Sequence, residues 1–332
     1  MVYLIRSAAS QGDRMVLNCR NFTAHGDGGA YHLLNERSRE LALLSPGPLV
    51  ARLLQMAFSL SVHYSEEKGV GLEAISELEM QQLWVDFMDG VSLLQGMDLD
   101  LDPTSPEALC MFLNLYHCML LHAYMVVGLP NSLFRWSAFF RNCTYEIFGD
   151  IVSLAEMEHC VLRAGMARPG LNFIAQLFIP QADFSFALQV QDYRLLWGIF
   201  CGATSSVTRV PVYSPPRLHD QLQRVVAAAL EAEVRVQEHR VTLPLMCKMY
   251  AKEFVPSPST GTYTSLSPRN GSFSSPKGSS ATRDVLLALL PHLRDPLRSR
   301  VEALASRGGY SVKYTSLDFR CKYPIQVREK EP

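Results

Sequence analysis

Cys201 is the residue whose neighbours best suit it to covalent chemistry. It lies within Asp192-Tyr193-Arg194-Leu195-Leu196-Trp197-Gly198-Ile199-Phe200-Cys201-Gly202-Ala203-Thr204-Ser205-Ser206. The bulky apolar run from Arg194 to Phe200 reads as an interior strand that delivers a thiol to a loop of small, polar residues. Such a loop offers room and backbone N–H donors for an oxyanion. A nucleophilic thiol also needs a base or a positive field, and this stretch holds no histidine. The base would have to come from another element, with His122 the candidate. Without one, Cys201 reads as a small buried hydrophobe, the commoner state of a free cysteine. Thr204, Ser205 and Ser206 read as loop hydrogen-bonders rather than nucleophiles.

Two other clusters carry reactive types at helical spacing. Asn114, Cys118 and His122 stand at i, i+4 and i+8 and drift along one helix face. An imidazole one turn from a thiol could lower its pKa or share a metal; the competing reading is a satisfied polar stripe in a buried helix. A metal site from His117, Cys118 and His122 is a third reading. No ligand cluster accompanies these residues in the sequence, so neither a metal nor a cofactor is expected. In the second cluster His159 and Arg163 lie one turn apart, and Glu158 is near Arg163 but off the i, i+4 spacing of an ion pair. An anion site or a structural salt bridge would each use these residues.

The elements that must position these groups follow from local signals. Leu33 to Leu44 reads as a short helix, and Leu49 to Met97 has helical periodicity. Ser105-Pro106-Glu107 opens a helix, with Ser105 as cap and Pro106 in the first turn, and Gly128-Leu129-Pro130 stops it. Trp136 to Ile147 fits strand or helix. Ser153-Leu154-Ala155-Glu156 is a capping box, so a helix runs from there to about Ala164. Val210 to Tyr213 reads as a strand, Leu218 to Ala232 as an amphipathic helix, and Val234 to Leu243 as a hairpin. Leu245 to Phe254, Arg283 to Leu290 and Leu297 to Ala305 read as helices, and Tyr310 to Tyr314 as a strand.

Composition sets the wider limits. A chain of 332 residues with 48% hydrophobic content can bury a sizeable core. Lys plus Arg is 31 and Asp plus Glu is 32, a net charge of -1, so no charge bias points to nucleic acid. The eight cysteines are scattered without a Cys-x-x-Cys pair and read as reduced thiols of a cytoplasmic protein. The apolar run from Leu115 to Leu129 contains two histidines and falls short of the ~20 residues of a bilayer span, so no membrane span is expected. Residues 1–48 read as a poorly ordered lead-in or the remnant of a longer protein. Residues 49–255 form the main part of a domain and 283–332 its C-terminal part. The Ser/Pro/Gly-rich stretch 256–282 reads as a disordered insertion, with Ser257, Ser267 and Ser275 before prolines as phosphorylation candidates.

Several segments together resemble a known family. Phe112-Leu-Asn-Leu-Tyr116-His-Cys-Met-Leu-Leu-His122-Ala resembles the Phe-Trp-Ile-Asn-Leu-Tyr-Asn…His-Ala signature of the domain of unknown function 547 family. Ser153 to Arg163 is similar to its Ile-Glu-His-x-Ile-Leu-Arg segment, and Asp192 to Gly202 to its Asp-Pro-Arg…Cys-Gly segment. Val212-Tyr213-Ser-Pro, Leu243-Pro244 and Val312 to Phe319 fit later landmarks, so the resemblance extends over Leu49 to Tyr323. It implies a divergent, eukaryotic-type member with an α+β fold, mostly helical around a small central sheet, likened to papain-like thiol enzymes. Asn114, Tyr116, His122, Glu158, His159, Arg163, Asp192, Arg194, Cys201, Gly202 and Ser205 match family positions. Leu196 stands where the family has His, Ser206 where it has a second Cys, Val207-Thr208 where it has Pro-Pro, and His117 where it has Asn. A retained frame with altered reactive positions implies a non-catalytic interaction or regulatory domain with a protein or peptide partner. The rival is a cysteine-dependent hydrolase or transferase using Cys201 with His122.

Overall fold

The computed structural model describes residues 9–11, 14–19, 36–66, 78–170, 179–200, 202, 209–254, 279–316, 321–322 and 325–326. The elements run β1 (Ala9–Gln11), β2 (Arg14–Val16), α1 (Glu36–Ala42), α2 (Pro46–Glu66), α3 (Leu78–Leu93) and α4 (Pro106–Val127). Next come α5 (Leu133–Asn142), β3 (Cys143–Ile147), β4 (Asp150–Ser153), α6 (Leu154–Glu156) with a π-helical turn over Met157–Leu162, α7 (Leu195–Gly198) and β5 (Arg209–Val210). The C-terminal part holds α8 (Leu218–Glu233), β6 (Arg235–Gln237), β7 (Arg240–Leu243), α9 (Leu245–Met249), α10 (Ser279–Leu289), α11 (Leu297–Arg307), β8 (Ser311–Tyr314) and β9 (Ile325–Gln326). The class is α+β and mostly helical, as the sequence implies.

The fold is organised around α4. Ser105 is extended and accepts the Ala108 N–H through its side chain, Pro106 occupies the first turn, and Gly128 ends the helix at φ 85°. Every residue from Ala108 to Met125 is buried. By length and composition α4 could cross a bilayer, but its surface is already covered by protein. Helix α2 lies along it and α3 packs against α2. This is a core helix apolar all round, and its few polar side chains must therefore find partners inside the protein.

A four-stranded sheet of order β1-β2-β3-β4 packs beside these helices, with β2 parallel to β3 and β4 antiparallel to it. Asn18 continues the attachment: its side-chain amide donates to the carbonyls of Val91 and Glu146, and its oxygen accepts the Glu146 N–H. The sequence sets residues 1–48 apart as a lead-in, but the described residues 14–19 are part of the fold. The sequence hides this because a parallel partner some 130 residues away leaves no local pattern. The C-terminal part holds a sheet of order β6-β7-β8, an antiparallel hairpin with β8 added in parallel, and β5 pairs with β9.

Other boundaries differ from the sequence reading. Trp136 to Ile147 is both a helix end and a strand, divided at Cys143. Helix α10 begins at Ser279, before the expected Arg283; most of 256–282, with Ser257, Ser267 and Ser275, lies outside the described residues. The largest correction is Arg194 to Phe200, which is no strand. Leu195–Gly198 forms a helical turn, with Gly198 N–H donating to Arg194 O and Ile199 N–H to Leu195 O. The whole stretch Arg194 to Phe200 is buried, so no polar face marks a helical period, and a short apolar run is ambiguous between strand and buried helix.

Candidate functional site

Helix α4 presents its two histidines to different surroundings. His117 Nε2 accepts the backbone N–H of Phe200 at 3.1 Å, and its ring stacks on Tyr213 with 6.2 Å between centroids. Tyr213 donates its hydroxyl to Gly198 O at 2.9 Å. One turn earlier, Asn114 binds the Tyr213 backbone on both sides, donating to its carbonyl at 2.9 Å and accepting its N–H at 2.8 Å. Asn114 and His117 thus pin two irregular segments to the core helix. Gly202 has φ 79°, and a Cβ there would collide with the Tyr124 hydroxyl; only glycine meets both conditions. Cys201 and Ser205 lie outside the described residues.

His122 faces elsewhere. Its Nδ1 hydrogen-bonds the Tyr145 hydroxyl at 2.7 Å, and Trp84 and Phe87 meet its ring edge-on at 5.5 and 5.1 Å. Burial pushes its pKa down to about 3. Cys118 hydrogen-bonds the same tyrosine, and burial pushes its thiol up to about 12. The thiol and imidazole that the sequence places one turn apart therefore meet at Tyr145, both neutral, in an apolar box. Burial also pushes His117 down to about 3. Because His117 points to Phe200 and His122 to Tyr145, the metal set of His117, Cys118 and His122 does not converge. Among the described residues no three metal-ligating side chains gather.

The second cluster is where the structure brings sequence-selected residues together. Ser153 and Glu156 form the expected capping box, with Ser153 Oγ accepting the Glu156 N–H and Glu156 Oε2 accepting the Ser153 N–H. After one turn the helix widens. The Arg163 N–H donates to Glu158 O at 3.1 Å, a π-type bond that brings residues five apart into register. This explains how Glu158 and Arg163 pair despite their spacing: Arg163 Nη1 lies 2.6 Å from Glu158 Oε1. Tyr116 donates to Glu158 Oε2 at 3.3 Å, and Arg163 Nη1 donates to the Tyr250 hydroxyl at 2.9 Å. Burial raises the Glu158 pKa, but the Arg163 and His159 charges and the Tyr116 hydroxyl outweigh it and hold the carboxyl below its ordinary value. His159 is lowered, chiefly by burial.

A cleft of about 550 Å³ opens over this pair, its lining including His159, Arg163, Met166, Arg168, Phe184 and Tyr250. The His159 side chain is 23% exposed and Arg163 only 4%, so one stands at the mouth and the other in the floor. Cys160 donates its thiol to Pro180 O at 3.5 Å. Gly165 lets two walls close up, since a Cβ there would fall 2.7 Å from Val190 O. The sequence gives no hint of Tyr250, because it reaches the site from 87 residues away.

Asp192 and Arg194 form a separate buried pair that reaches an exposed histidine. Arg194 Nε and Nη2 both donate to the carboxylate, at 2.7 to 3.1 Å, and the Arg194 N–H caps Asp192 Oδ1 at 3.0 Å. The other guanidinium nitrogen bonds His219 Nδ1 at 3.1 Å. Beside them Tyr193 bonds His292 Nε2 at 2.6 Å. These contacts set the turn of α7 against α8. The described candidate site residues thus fall into five places: Asn114 at Tyr213, His122 at Tyr145, Tyr116 with Glu158 beneath the cleft that His159 and Arg163 line, Asp192 with Arg194 at His219, and Gly202 at Tyr124.

Comparison with curated protein sequences and with solved structures gives no match. Residues 102–228 match the model of the family described as "Protein of unknown function, DUF547". The match spans α4, the capping box, the π-turn, Asp192, Arg194 and Gly202, a narrower interval than Leu49 to Tyr323. Tyr250 and His292 lie beyond it, so the Arg163 network and the Tyr193 bond each draw on later parts of the chain. On the match and the landmarks within it, residues 102–228 are a DUF547 family domain.

Proposed function

We propose that this chain is a non-catalytic interaction domain on a thiol-enzyme-like scaffold, and that it holds a segment of a protein partner in the cleft over Glu158 and Arg163. One observation carries the proposal: each imidazole of α4 is fully buried, with one nitrogen already bonded inside the core. His122 is bonded to Tyr145 between two aromatic rings, and His117 spends its Nε2 on the Phe200 N–H. A base must hold a lone pair free within reach of the thiol proton, and burial also makes each ring a poor proton acceptor. The cleft, by contrast, presents two guanidiniums, a carboxylate, an imidazole and a phenol beside apolar side chains, a mixture suited to orienting a ligand. All seven described cysteines are free thiols, which suits the cytoplasmic setting included in this proposal.

The test compares partner capture by the wild-type chain, Cys201→Ala and Ala164→Trp. Ala164 is exposed and lines the cleft, so tryptophan there fills the space without removing a bond. Cys201→Ala should keep the captured proteins and Ala164→Trp should lose them. A turnover activity abolished by Cys201→Ala would overturn the proposal in favour of a cysteine-dependent hydrolase or transferase.

A further inference from the structure

A second surface stands at the far end of α4, where the chain turns into α5. Four large apolar side chains are exposed within eight residues: Val127 at 46%, Leu129 at 38%, Leu133 at 53% and Phe134 at 87%. The local structure explains the placement. Gly128 ends α4, and Ser132 caps α5 by accepting the Arg135 N–H at 3.3 Å. Helix α5 buries Phe139 and Phe140 in the protein, and Trp136 stacks on Phe140 at 4.4 Å. Its inner face is therefore occupied, and Leu133 and Phe134 project from its first turn. A phenylalanine so exposed, beside three more apolar residues, is unlike scattered surface hydrophobics.

Within the tip's own stretch of chain the charges have one sign. From Ala108 to Tyr145 the only charged residues are Arg135 and Arg141. Both are exposed, and neither forms an ion pair among the described residues. We infer that the tip docks on an anionic lipid bilayer, with Leu133 and Phe134 entering the acyl boundary and Arg135 and Arg141 meeting headgroup phosphates. Apolar residues that project from a turn suit a soft surface that closes around them, and cations on the same helix suit its negative potential. This is attachment from one side only, since α4 is already enclosed by protein from Ala108 to Met125.

Flotation of the full chain with phosphatidylcholine vesicles, with and without phosphatidylserine, tests the inference. The wild-type chain should float with the anionic vesicles. Leu133→Ser with Phe134→Ser should weaken that binding at least about tenfold, since both large apolar side chains would leave the acyl boundary. Arg135→Gln with Arg141→Gln should remove the preference for anionic vesicles. Because all four residues are exposed, unchanged thermal unfolding will show that the variants still fold. Absence of wild-type binding, or equal binding by the Leu133/Phe134 variant, would overturn the inference. So would a wild-type oligomer that the Leu133/Phe134 variant converts to monomer, since the tip would then be a contact between copies.

Discussion

Two buried arginines each meet a carboxylate in this protein, and their surroundings differ. Arg194 grips Asp192 through two nitrogens and spends a third on the exposed His219 of α8. Arg163 binds Glu158 through one nitrogen, shares it with Tyr250, and lies in the floor of an open cleft. The first pair fixes the path of the chain. The second holds a polar floor beneath a space that a ligand can enter. In sequence both read alike, as a family-matched acid and arginine a few residues apart, so residue type and spacing did not separate scaffold from site.

The sharpest way to break this contrast is to remove each arginine. Arg194→Met leaves Asp192 buried and uncompensated, and denaturant unfolding should show a loss of roughly 3–5 kcal/mol. Arg163→Met should cost less, about 1–3 kcal/mol, because the cleft that Arg163 lines opens toward Glu158 once its guanidinium is removed. Equal losses would mean that the two pairs are equally sealed.

Acid should act on the α4 histidines. Both have folded pKa values depressed to about 3, below an ordinary 6.5. Below the ordinary value the unfolded chain takes up protons that the folded chain refuses. Their contribution is therefore complete above about pH 6.5 and is lost as pH falls toward about 3. Each should cost about 2 kcal/mol between about pH 7.5 and about pH 5. His117→Asn, which restores the residue type of the resembled family, should remove about that much of the pH dependence, measured by unfolding at the two pH values. An unchanged dependence would mean that His117 is not buried neutral. The smallest effect belongs to the cleft mouth: Ala164→Trp should shift stability by less than about 0.5 kcal/mol while abolishing partner capture.

What could be read in the sequence was local. The Ser105 cap with Pro106, the Ser153–Glu156 capping box, the amphipathic α8 and the β6–β7 hairpin all rest on residues within one turn of each other, and all are present. What could not be read depended on distant partners. Leu195–Gly198 was ambiguous because it is buried on every side, and its turn is set by Asp192 and by packing on α8. The Glu158–Arg163 spacing was a sign of the π-turn, but only the widened helix gives it meaning. His117 looked like a lost family asparagine, whereas its ring holds the Phe200 N–H, a bond that no pattern within α4 could announce. Tyr250 and the β2–β3 pairing come from remote parts of the chain.

His122 is bonded to Tyr145, and on the proposed reading it does not act as a base for Cys201. The pH dependence of Cys201 alkylation, followed on its own peptide by mass spectrometry in the wild-type chain and in His122→Asn, tests this. An interaction domain requires a thiol that alkylates with a pKa near or above the ordinary ~8.5, with the same midpoint in both proteins. A midpoint near or below about 7 in the wild-type chain, moving upward when His122 is replaced, would contradict it and restore the thiol enzyme.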